Sequence, residues 1–259
     1  MKPEAGPGES FQGRVALVTG AAGVIGAAVV DALRRRGAAV VATDGARGRP
    51  WTDASLADEP LVRVDVTDRA AVRGLVARTE SSLGTVDLLV NVAGVVSFGS
   101  AAELPELEWD RVLDVNLKGT FLACQAVMPG MKRARFGRIV NIGSVVGKNA
   151  GNARPWIDEA EQQRAGNVAY GVSKAGVHAL TGFLAKELAA HGVTVNAVAP
   201  GPIATPMTTN FPENLRALIP VGRMGTAQDV TAAILFLAGR QAGFITGEVL
   251  DLNGGMFCD

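Results

Sequence analysis

The only tyrosine of the chain, Tyr170, stands four residues before Lys174. Residues four apart on a helix share a face, so the phenol and the ammonium group project side by side. A tyrosine with an ordinary pKa of about 10 exchanges protons poorly at neutral pH, and a neighbouring cation favours the phenolate. The pair therefore predicts a general acid–base whose pKa is lowered by Lys174. An ordinary helical pair, a half-buried ring beside a lysine that reaches solvent, would have the same spacing.

A second chemical pattern is the glycine-rich run TGAAGVIG at positions 19–26, which follows an apolar segment and leads into a helical one. Glycines let the backbone turn sharply and approach a pyrophosphate held by the first N–H groups of a helix. Asp44 follows Gly20 by 24 positions, where a carboxylate accepts hydrogen bonds from a ribose and repels a 2′-phosphate. The pattern predicts NAD as the cofactor. Arg47 keeps NADP open, because an arginine nearby accommodates the extra phosphate.

Short apolar runs alternate with longer helical patterns along the rest of the chain. The predicted strands are Arg14–Val18, Ala38–Thr43, Leu61–Val64, Val86–Asn91, Arg138–Ile142, Val193–Ala197 and Val249–Leu252. The predicted helices are Gly26–Arg36, Arg69–Leu83, Glu106–Arg133, Ala169–His191 and Ala227–Ala238. Strands that are apolar throughout indicate burial on both faces, as in a parallel sheet covered by helices. The alternation predicts an α/β domain with a doubly wound sheet that binds ligands beyond the carboxyl ends of its strands.

Composition sets limits on the class of protein. The 259 residues, of which 48% are hydrophobic, fit one large domain over residues 13–259 after a flexible tail at residues 1–12. Lys and Arg number 25, as do Asp and Glu, and no long basic run occurs, so we expect no nucleic-acid partner. No apolar stretch approaches the roughly 20 residues of a membrane span. Cys124 and Cys258 form no disulfide framework and suit a reducing cytoplasm, and no His/Cys/carboxylate cluster predicts a metal.

With four further motifs, these patterns resemble the short-chain dehydrogenase/reductase family from about Gly13 to the end. The motifs are Asn91-Val92-Ala93-Gly94, Asn116 within a helix, Ser144 after a strand, and Pro200-Gly-Pro-Ile-Ala-Thr205. The end of the chain, from Val221 to Gly255, resembles bacterial 3-oxoacyl-carrier-protein reductases and related alcohol dehydrogenases. The resemblance implies a single-domain Rossmann fold with a mostly parallel seven-stranded sheet and helices on both faces. It also implies a homo-oligomer, commonly a tetramer.

The resemblance assigns roles to individual residues. Tyr170 would protonate the carbonyl oxygen as hydride arrives, Ser144 would stabilise the developing charge, and Lys174 would also hydrogen-bond the nicotinamide ribose. Asn116 would hold a water that links the lysine to solvent. The cofactor residues it implies are Gly20, Gly23, Ile25, Asp44, Asp65, Val66, Asn91, Ala93, Gly94, Tyr170, Lys174, Pro200, Ile203 and Thr205, with Asp65 and Val66 beside the adenine and Ile203 and Thr205 at the carboxamide.

Three departures from the family pattern stand out. Val24 occupies the place of the usual middle glycine, and Gly23 that of a residue that is often Arg or Ser, which removes a cation used by NADP-dependent relatives. Val92 replaces the second asparagine of the strand-end motif. Ser144 and Tyr170 lie 26 residues apart, about double the usual spacing. The extra segment, Lys148–Val168, fits no regular element and is either a solvated surface insertion or a wall of the substrate pocket that includes Trp156.

The leading functional prediction is an NAD-dependent dehydrogenase or ketoreductase acting on a small or medium secondary alcohol or ketone. The alternative is a 3-oxoacyl-thioester reductase using NADPH, for which Lys132, Arg133 and Arg135 would form a basic patch near the pocket mouth for an acidic carrier protein. A remote alternative is a non-catalytic dinucleotide-sensing protein, which would not need the complete set of catalytic residues.

Two residue groups on the predicted helix Ala169–His191 are assigned to packing. The apolar stripe of Val177, Leu180 and Leu184 meets either a subunit partner or the sheet. His178, two turns after Tyr170, is expected to pack or to meet a subunit partner and is given no chemical role.

Overall fold

The computed structural model describes residues 10–45, 61–151, 154–205, 208 and 211–258. Its sheet has seven parallel strands in the order β3-β2-β1-β4-β5-β6-β7. The strands are β1 (Val15–Thr19), β2 (Ala39–Asp44), β3 (Val62–Arg63), β4 (Leu88–Asn91), β5 (Gly137–Ile142), β6 (Val193–Pro200) and β7 (Val249–Leu252). The order reverses between β1 and β4, so the connections after these strands diverge and leave a crevice at their carboxyl ends. The predicted doubly wound sheet is confirmed.

Helices connect the strands and lie on both faces of the sheet. They are α1 (Val24–Arg35), α2 (Arg69–Leu83), α3 (Glu106–Leu113), α4 (Gly119–Ala134), α5 (Val146–Asn149), α6 (Glu159–Ala165), α7 (Val168–Leu188), α8 (Glu213–Arg216) and α9 (Ala227–Ala238). A π-helical turn (Asp114–Lys118) joins α3 to α4, and short 3-10 turns follow α7 and α9. Helices α2 and α9 and strand β7 have the predicted bounds.

Two apolar cores sandwich the sheet. On β1, Val18 faces a core shared with α1 and α9, whereas Leu17 faces a core shared with α2, α4 and α7. Successive strand residues point to opposite faces, so an all-apolar strand supplies both cores at once. Of the predicted stripe, Leu184 belongs to the second core, Leu180 packs against that core and Val177 is fully buried, so the stripe faces the interior of the chain and not a subunit contact.

The structure corrects three boundaries. Phe11 lies inside the predicted tail, yet it is buried in the first core and its N–H donates to the carbonyl of Arg36 at 2.9 Å, so the packed chain begins before residue 13. The predicted helix Glu106–Arg133 is interrupted by the π-helical turn. The segment Lys148–Val168 is not wholly irregular, because it contains α6, in which the side chain of Asp158 accepts from the N–H of Glu161 and caps the first turn.

Candidate active site

The predicted catalytic residues converge at the carboxyl end of the sheet. Ser144 follows β5 by two residues, Asn116 lies in the π-helical turn, and Tyr170 and Lys174 occupy the first two turns of α7. Strands β4 and β5 end side by side, with Asn91 opposite Asn141. The crevice between β1 and β4 therefore opens next to the place where these four side chains meet.

The Ser144 hydroxyl lies close enough to the Tyr170 phenol to affect its pKa. Burial raises the pKa of Tyr170, and the Ser144 hydroxyl lowers it to a smaller extent. The Ser144 oxygen also accepts from the N–H of Val146 at 3.2 Å, which leaves the hydroxyl proton to point toward the phenol. The two hydroxyl groups thus converge on one position, where a carbonyl oxygen would receive a hydrogen bond from each.

Lys174 does not act on Tyr170 as the sequence predicted. Its Nζ lies 5.7 Å from the centroid of the phenol ring and donates to the carbonyl oxygen of Ile142 at 2.7 Å. Burial lowers the pKa of Lys174 to about 8, because the ammonium is removed from water. The prediction that Lys174 lowers the pKa of the phenol is therefore wrong for this structure, since the burial of Tyr170 outweighs the factors that oppose it.

Asn116 ties the loop after β4 to α7. Its Oδ1 accepts from the N–H of Val95 at 2.8 Å, and its Nδ2 donates to the Val95 carbonyl and the Ser173 hydroxyl, each at 2.9 Å. Both amide protons are thus occupied. A Cβ atom added to Gly94 would lie 3.3 Å from Oδ1 of Asn116 and 3.5 Å from Nζ of Lys174, so these two polar atoms border the same small space.

The glycine-rich turn after β1 has the geometry of a phosphate cradle. Gly20 has a positive φ of 63°, and a Cβ atom there would lie 2.5 Å from the backbone nitrogen of Ala93. Helix α1 begins after Gly23, which provides no side-chain cap, and the first turn holds no acidic residue. The first N–H groups of the helix therefore face the crevice with the dipole favouring an anion, which fits a dinucleotide pyrophosphate.

Asp44 lies at the end of β2, beside this cradle. Its Oδ2 accepts from the N–H of Ala22 at 3.3 Å, so the carboxylate reaches the turn that would hold the pyrophosphate. Arg47, the reason for leaving NADP open, lies outside the described residues.

Several other predicted cofactor residues have side chains engaged elsewhere. Asp65 accepts from the N–H and hydroxyl of Thr67, at 2.9 and 2.8 Å, and so caps its own turn. The Val66 side chain packs against Gly119, and that of Ile25 packs against the first core. Only backbone groups of Val66 and Ile25 remain to face a cofactor.

Asn91 belongs to a buried polar network rather than to the crevice. Its Nδ2 donates to Oδ1 of Asn141 at 2.9 Å, and Nδ2 of Asn141 donates to the hydroxyl of Thr181 at 3.0 Å. The chain of bonds joins β4, β5 and α7 below the site. The Asn91 side chain is therefore a structural tie, which leaves the backbone of this residue for its predicted role at the cofactor.

The two loops that complete the predicted site follow β4 and β6. The N–H of Ala93 donates to the hydroxyl of Thr19 at 3.3 Å, which holds the loop containing Gly94 beside the cradle. After β6, which ends at Pro200, Ile203 is buried and the N–H of Thr205 donates to the Thr208 hydroxyl at 2.9 Å.

The insertion between α5 and α7 packs beside the loop after β4. The N–H of Gly99 donates to the carbonyl of Gly166 at 2.7 Å. Within the insertion, Arg154 forms a bidentate ion pair with Glu161, with N–O distances of 2.6 and 3.0 Å. Trp156 lines a cavity of about 350 Å³ between the insertion and α7.

The basic residues proposed for carrier-protein docking lie elsewhere. Helix α4 runs back along the sheet, so Lys132 and Arg133 at its end lie next to the amino end of β5, opposite the site. Lys132 pairs with Glu187 at 2.8 Å, and Arg135 donates to the carbonyl of Ala190 at 2.9 Å. The prediction of a basic patch near the pocket mouth from these residues is wrong for a single chain.

Sequence reasoning missed the contact of His178 with the site. Its Nε2 accepts from the N–H of Ser144 at 3.3 Å. The available signal was spacing, because His178 follows Tyr170 and Lys174 by eight and four residues and so shares their helix face. In the part of the chain that the structure describes, no group of three or more His, Cys, Asp or Glu side chains could hold a metal ion, and no helix is long and apolar enough to cross a membrane.

Comparisons with known proteins match nearly the whole chain. A family model described as enoyl-(acyl carrier protein) reductase matches residues 20–257. The 3-oxoacyl-(acyl-carrier-protein) reductase FabG of Salmonella typhimurium is 39% identical over 256 residues, which cover 96% of this chain and 99% of the relative. The protein of the same name from Escherichia coli K12 is 38% identical over 254 residues, with the same coverage. The crystal structure of gox2181 matches with a TM-score of 0.81 and 33% identity over 95% of this chain and 96% of that one.

Proposed function

Because the chain belongs to the short-chain dehydrogenase/reductase family, we propose that it reduces the ketone of 3-oxoacyl thioesters to a secondary alcohol with a nicotinamide cofactor. The chain is an oxidoreductase of this family, acting on a keto or hydroxyl group. The thioester is supported by relatives of 38 and 39% identity that are named 3-oxoacyl-(acyl-carrier-protein) reductases. The comparisons favour this alternative over the leading prediction from sequence, a dehydrogenase of small secondary alcohols.

The observation that carries the chemistry is the convergence of the Ser144 and Tyr170 hydroxyls beside the buried amine of Lys174. A bound nicotinamide supplies the hydride, which the protein needs only to align. The Tyr170 hydroxyl gives its proton to the carbonyl oxygen as negative charge develops there, and the Ser144 hydroxyl donates a hydrogen bond to the same oxygen. The tyrosine is left as a phenolate that must regain a proton before the next turnover.

Lys174 is the proposed source of that proton. With a pKa of about 8, its ammonium both holds and releases a proton near neutral pH. The space bordered by Gly94 and Asn116 lies beside this amine and is where a water would connect it to solvent. The amide of Asn116 holds that space open through its bonds to Val95 and Ser173.

For the cofactor we propose NAD over NADP. The Asp44 carboxylate lies beside the phosphate cradle, where it favours a ribose diol and repels a 2′-phosphate. Gly23 offers no cation to offset that repulsion. In this proposal kcat/KM is higher with NADH than with NADPH, and Asp44→Ala reduces the ratio. A wild-type preference for NADPH would contradict the choice of NAD and leave the proposed reaction intact.

The carrier of the acyl group is tested separately from the reaction. Helix α6 beside the site carries the exposed residue Glu159 and follows the exposed residue Asp158, and the predicted basic patch lies at the other edge of the sheet. These charges do not discriminate between the two carriers, because the phosphates of coenzyme A are as anionic as an acidic carrier protein, and the names of the relatives favour the carrier protein. The test compares kcat/KM for acetoacetyl groups on coenzyme A and on a carrier protein with that for simple ketones. Turnover of simple secondary alcohols without reduction of either thioester would support the dehydrogenase predicted from sequence. Cofactor binding without any turnover would support the non-catalytic dinucleotide sensor.

We also propose that the chain forms a homo-oligomer, a tetramer by family expectation, in a reducing cytoplasm. Helix α7 exposes Val172 and Phe183 on one face, with 43 and 78% of their surface accessible, and covering them would remove apolar area from water. Cys124 is buried with a pKa raised to about 12 by that burial, and Cys258 is an exposed free thiol. Light scattering tests the assembly, and a monomer would contradict it.

A further inference from the structure

Three residues with chemical side chains share one face of α7. Tyr170, Lys174 and His178 are spaced by four residues, so their side chains form a stripe directed at the end of β5. The proposed function uses the first two and leaves the histidine without a role.

The imidazole of His178 contacts the backbone of the residue that carries the Ser144 hydroxyl. The Ser144 N–H donates to Nε2 of His178 at 3.3 Å. Because Nε2 accepts, the proton of the neutral ring lies on Nδ1. The contact joins the turn after β5 directly to the helix that carries Tyr170.

Two glycines give the ring its space. A Cβ atom added to Gly143 would lie 2.1 Å from Nε2 of His178, and one added to Gly147 would lie 3.0 Å from its Cε1. Real Cβ atoms do not approach other atoms as closely as 2.1 Å, so a side chain at position 143 would displace the imidazole. The turn therefore carries glycines on both sides of Ser144 where the histidine packs.

The other N–H groups of this turn point away from α7. The N–H of Gly143 donates to the carbonyl of Val198 at 2.8 Å, and that of Val145 donates to the carbonyl of Pro200 at 2.9 Å. These bonds fix the turn to β6. The N–H of Ser144 lies between them and points to the opposite side, so His178 ties the turn to the helix while β6 ties it to the sheet.

We propose that His178 is a positioning residue that holds Ser144 at hydrogen-bonding distance from Tyr170. The inference rests on the proposed function, because its consequence for catalysis requires both hydroxyls to meet the same carbonyl oxygen. Reacting groups must be held to within a fraction of an ångström, and a shift of about 1 Å costs up to a hundredfold in rate. The proposed route from the histidine to the reaction runs through the Ser144 backbone.

A pair of isosteric substitutions separates the hydrogen bond from simple packing. In His178→Gln, the side-chain oxygen is as many bonds from Cα as Nε2 and accepts from the same N–H, whereas His178→Met fills similar space with a much weaker acceptor. We expect His178→Met to lower kcat about tenfold or more, with the Kd for NADH unchanged, and His178→Gln to stay within about threefold of wild type. Equal kcat values in the two variants, both folded by circular dichroism, would overturn the proposal.

Combining the substitution with Ser144→Ala tests whether His178 works through Ser144. Once the hydroxyl is absent, its position no longer matters, so His178→Met should lower kcat about tenfold in the wild-type background and less than twofold in the Ser144→Ala background. A tenfold loss in both backgrounds would show that His178 acts by another route and would contradict the proposal.

Hydrogen exchange gives a readout that does not depend on activity. The Ser144 amide should exchange faster in His178→Met than in wild type and remain protected in His178→Gln, as measured by NMR on the resolved Ser144 amide. Unchanged protection in His178→Met would refute the tie itself. If wild-type protein turns over no ketone or alcohol, the proposed function fails, while the exchange result still decides the contact.

Discussion

Helix α7 and the insertion that precedes it each shield a cation from solvent. Burial lowers the pKa of Lys174 on the helix, whereas an ion pair raises the pKa of Arg154 in the insertion. The Lys174 side chain is 4% exposed, and in the part of the chain that the structure describes, burial is the factor that sets its pKa at about 8. Arg154 in the insertion forms a bidentate pair with Glu161, which raises the pKa of the guanidinium and lowers that of the carboxylate to about 2. The Arg154 guanidinium stays charged at every physiological pH with or without its partner, whereas burial brings the amine of Lys174 into the range where it titrates near neutrality.

The difference separates a residue whose proton is used in catalysis from an ion pair that stabilises local structure. A buried ammonium without a carboxylate destabilises the fold, so its retention on α7 indicates a use for its proton. The ion pair of the insertion supports a seven-residue helix that is too short to be stable alone. Four predictions test this contrast, in order of decreasing expected effect.

Tyr170→Phe removes the hydroxyl that meets Ser144 and should lower kcat about a thousandfold, because general acid catalysis by a positioned group contributes about 10²–10⁴. The Kd for NADH should change by less than about twofold, since the ring remains and the cradle is untouched. Steady-state kinetics and fluorescence titration measure the two quantities. A variant that keeps near-normal turnover would show that the phenol is not the acid–base group.

Lys174→Met should lower kcat/KM about a hundredfold by removing the group that resupplies the proton. In wild type, activity should decline as pH rises through about 8, where the amine loses its proton, and this limb should vanish in the variant. Lys186→Met, which removes an exposed lysine from the same helix, is the matched control. A limb near pH 8 that persists in Lys174→Met would mean that another group causes it.

The same Lys174→Met variant should be more stable than wild type at pH 7. A shift from 10.5 to about 8 corresponds to a cost on the order of 3 kcal/mol for the buried ammonium. The variant also loses the hydrogen bond to the Ile142 carbonyl, which destabilises it by about 1 kcal/mol. The free energy of unfolding should therefore rise by about 2 kcal/mol.

The pH dependence of that gain follows from the direction of the pKa change. Below pH 8 the amine is protonated in both the folded and unfolded chain, and the folded chain bears the full cost. Between pH 8 and 10.5 the folded chain loses its proton first, so the cost and the gain from substitution both fade. Urea unfolding at pH 7 and pH 10 measures this, and a variant less stable than wild type at pH 7 would refute the uncompensated ammonium.

Sequence patterns predicted the parts of the molecule that depend on local order. Strand β7 and helices α2 and α9 have the predicted bounds because apolar periodicity and flanking caps such as Asp68 are local signals. The motif spacing also placed Ser144, Tyr170 and Lys174 in one site. Local patterns supply such information wherever neighbours in sequence decide the conformation.

The features that the sequence did not reveal depend on contacts between distant residues. The π-helical turn around Asn116 is held by bonds to Val95 and Ser173, which lie 21 and 57 residues away. The pKa of Tyr170 was predicted in the wrong direction because burial is a property of the folded chain. The hydrogen bond between Asn91 and Asn141 was not predicted because it joins two strands that are 50 residues apart in the sequence.

Glu161→Gln should change activity least, and it tests the paired cation of the insertion where the Lys174 variant tests the unpaired one. The variant loses the ion pair with Arg154. The side chains of Glu161 and Arg154 are 18 and 19% exposed, and such partly solvated pairs contribute little to overall stability. We expect kcat for a small ketone to change by less than twofold, while amide exchange of residues 159–165 becomes faster at pH 7. Since the folded-state pKa of Glu161 is about 2, this difference from wild type should be full above pH 4.5 and fade as pH falls toward 2.

Glu159→Gln removes the same charge from an exposed position on α6 and serves as the control. Equal exchange rates in the two variants would mean that the ion pair does not hold the insertion, and a kcat loss as large as that of Lys174→Met would mean that paired and unpaired cations serve catalysis alike.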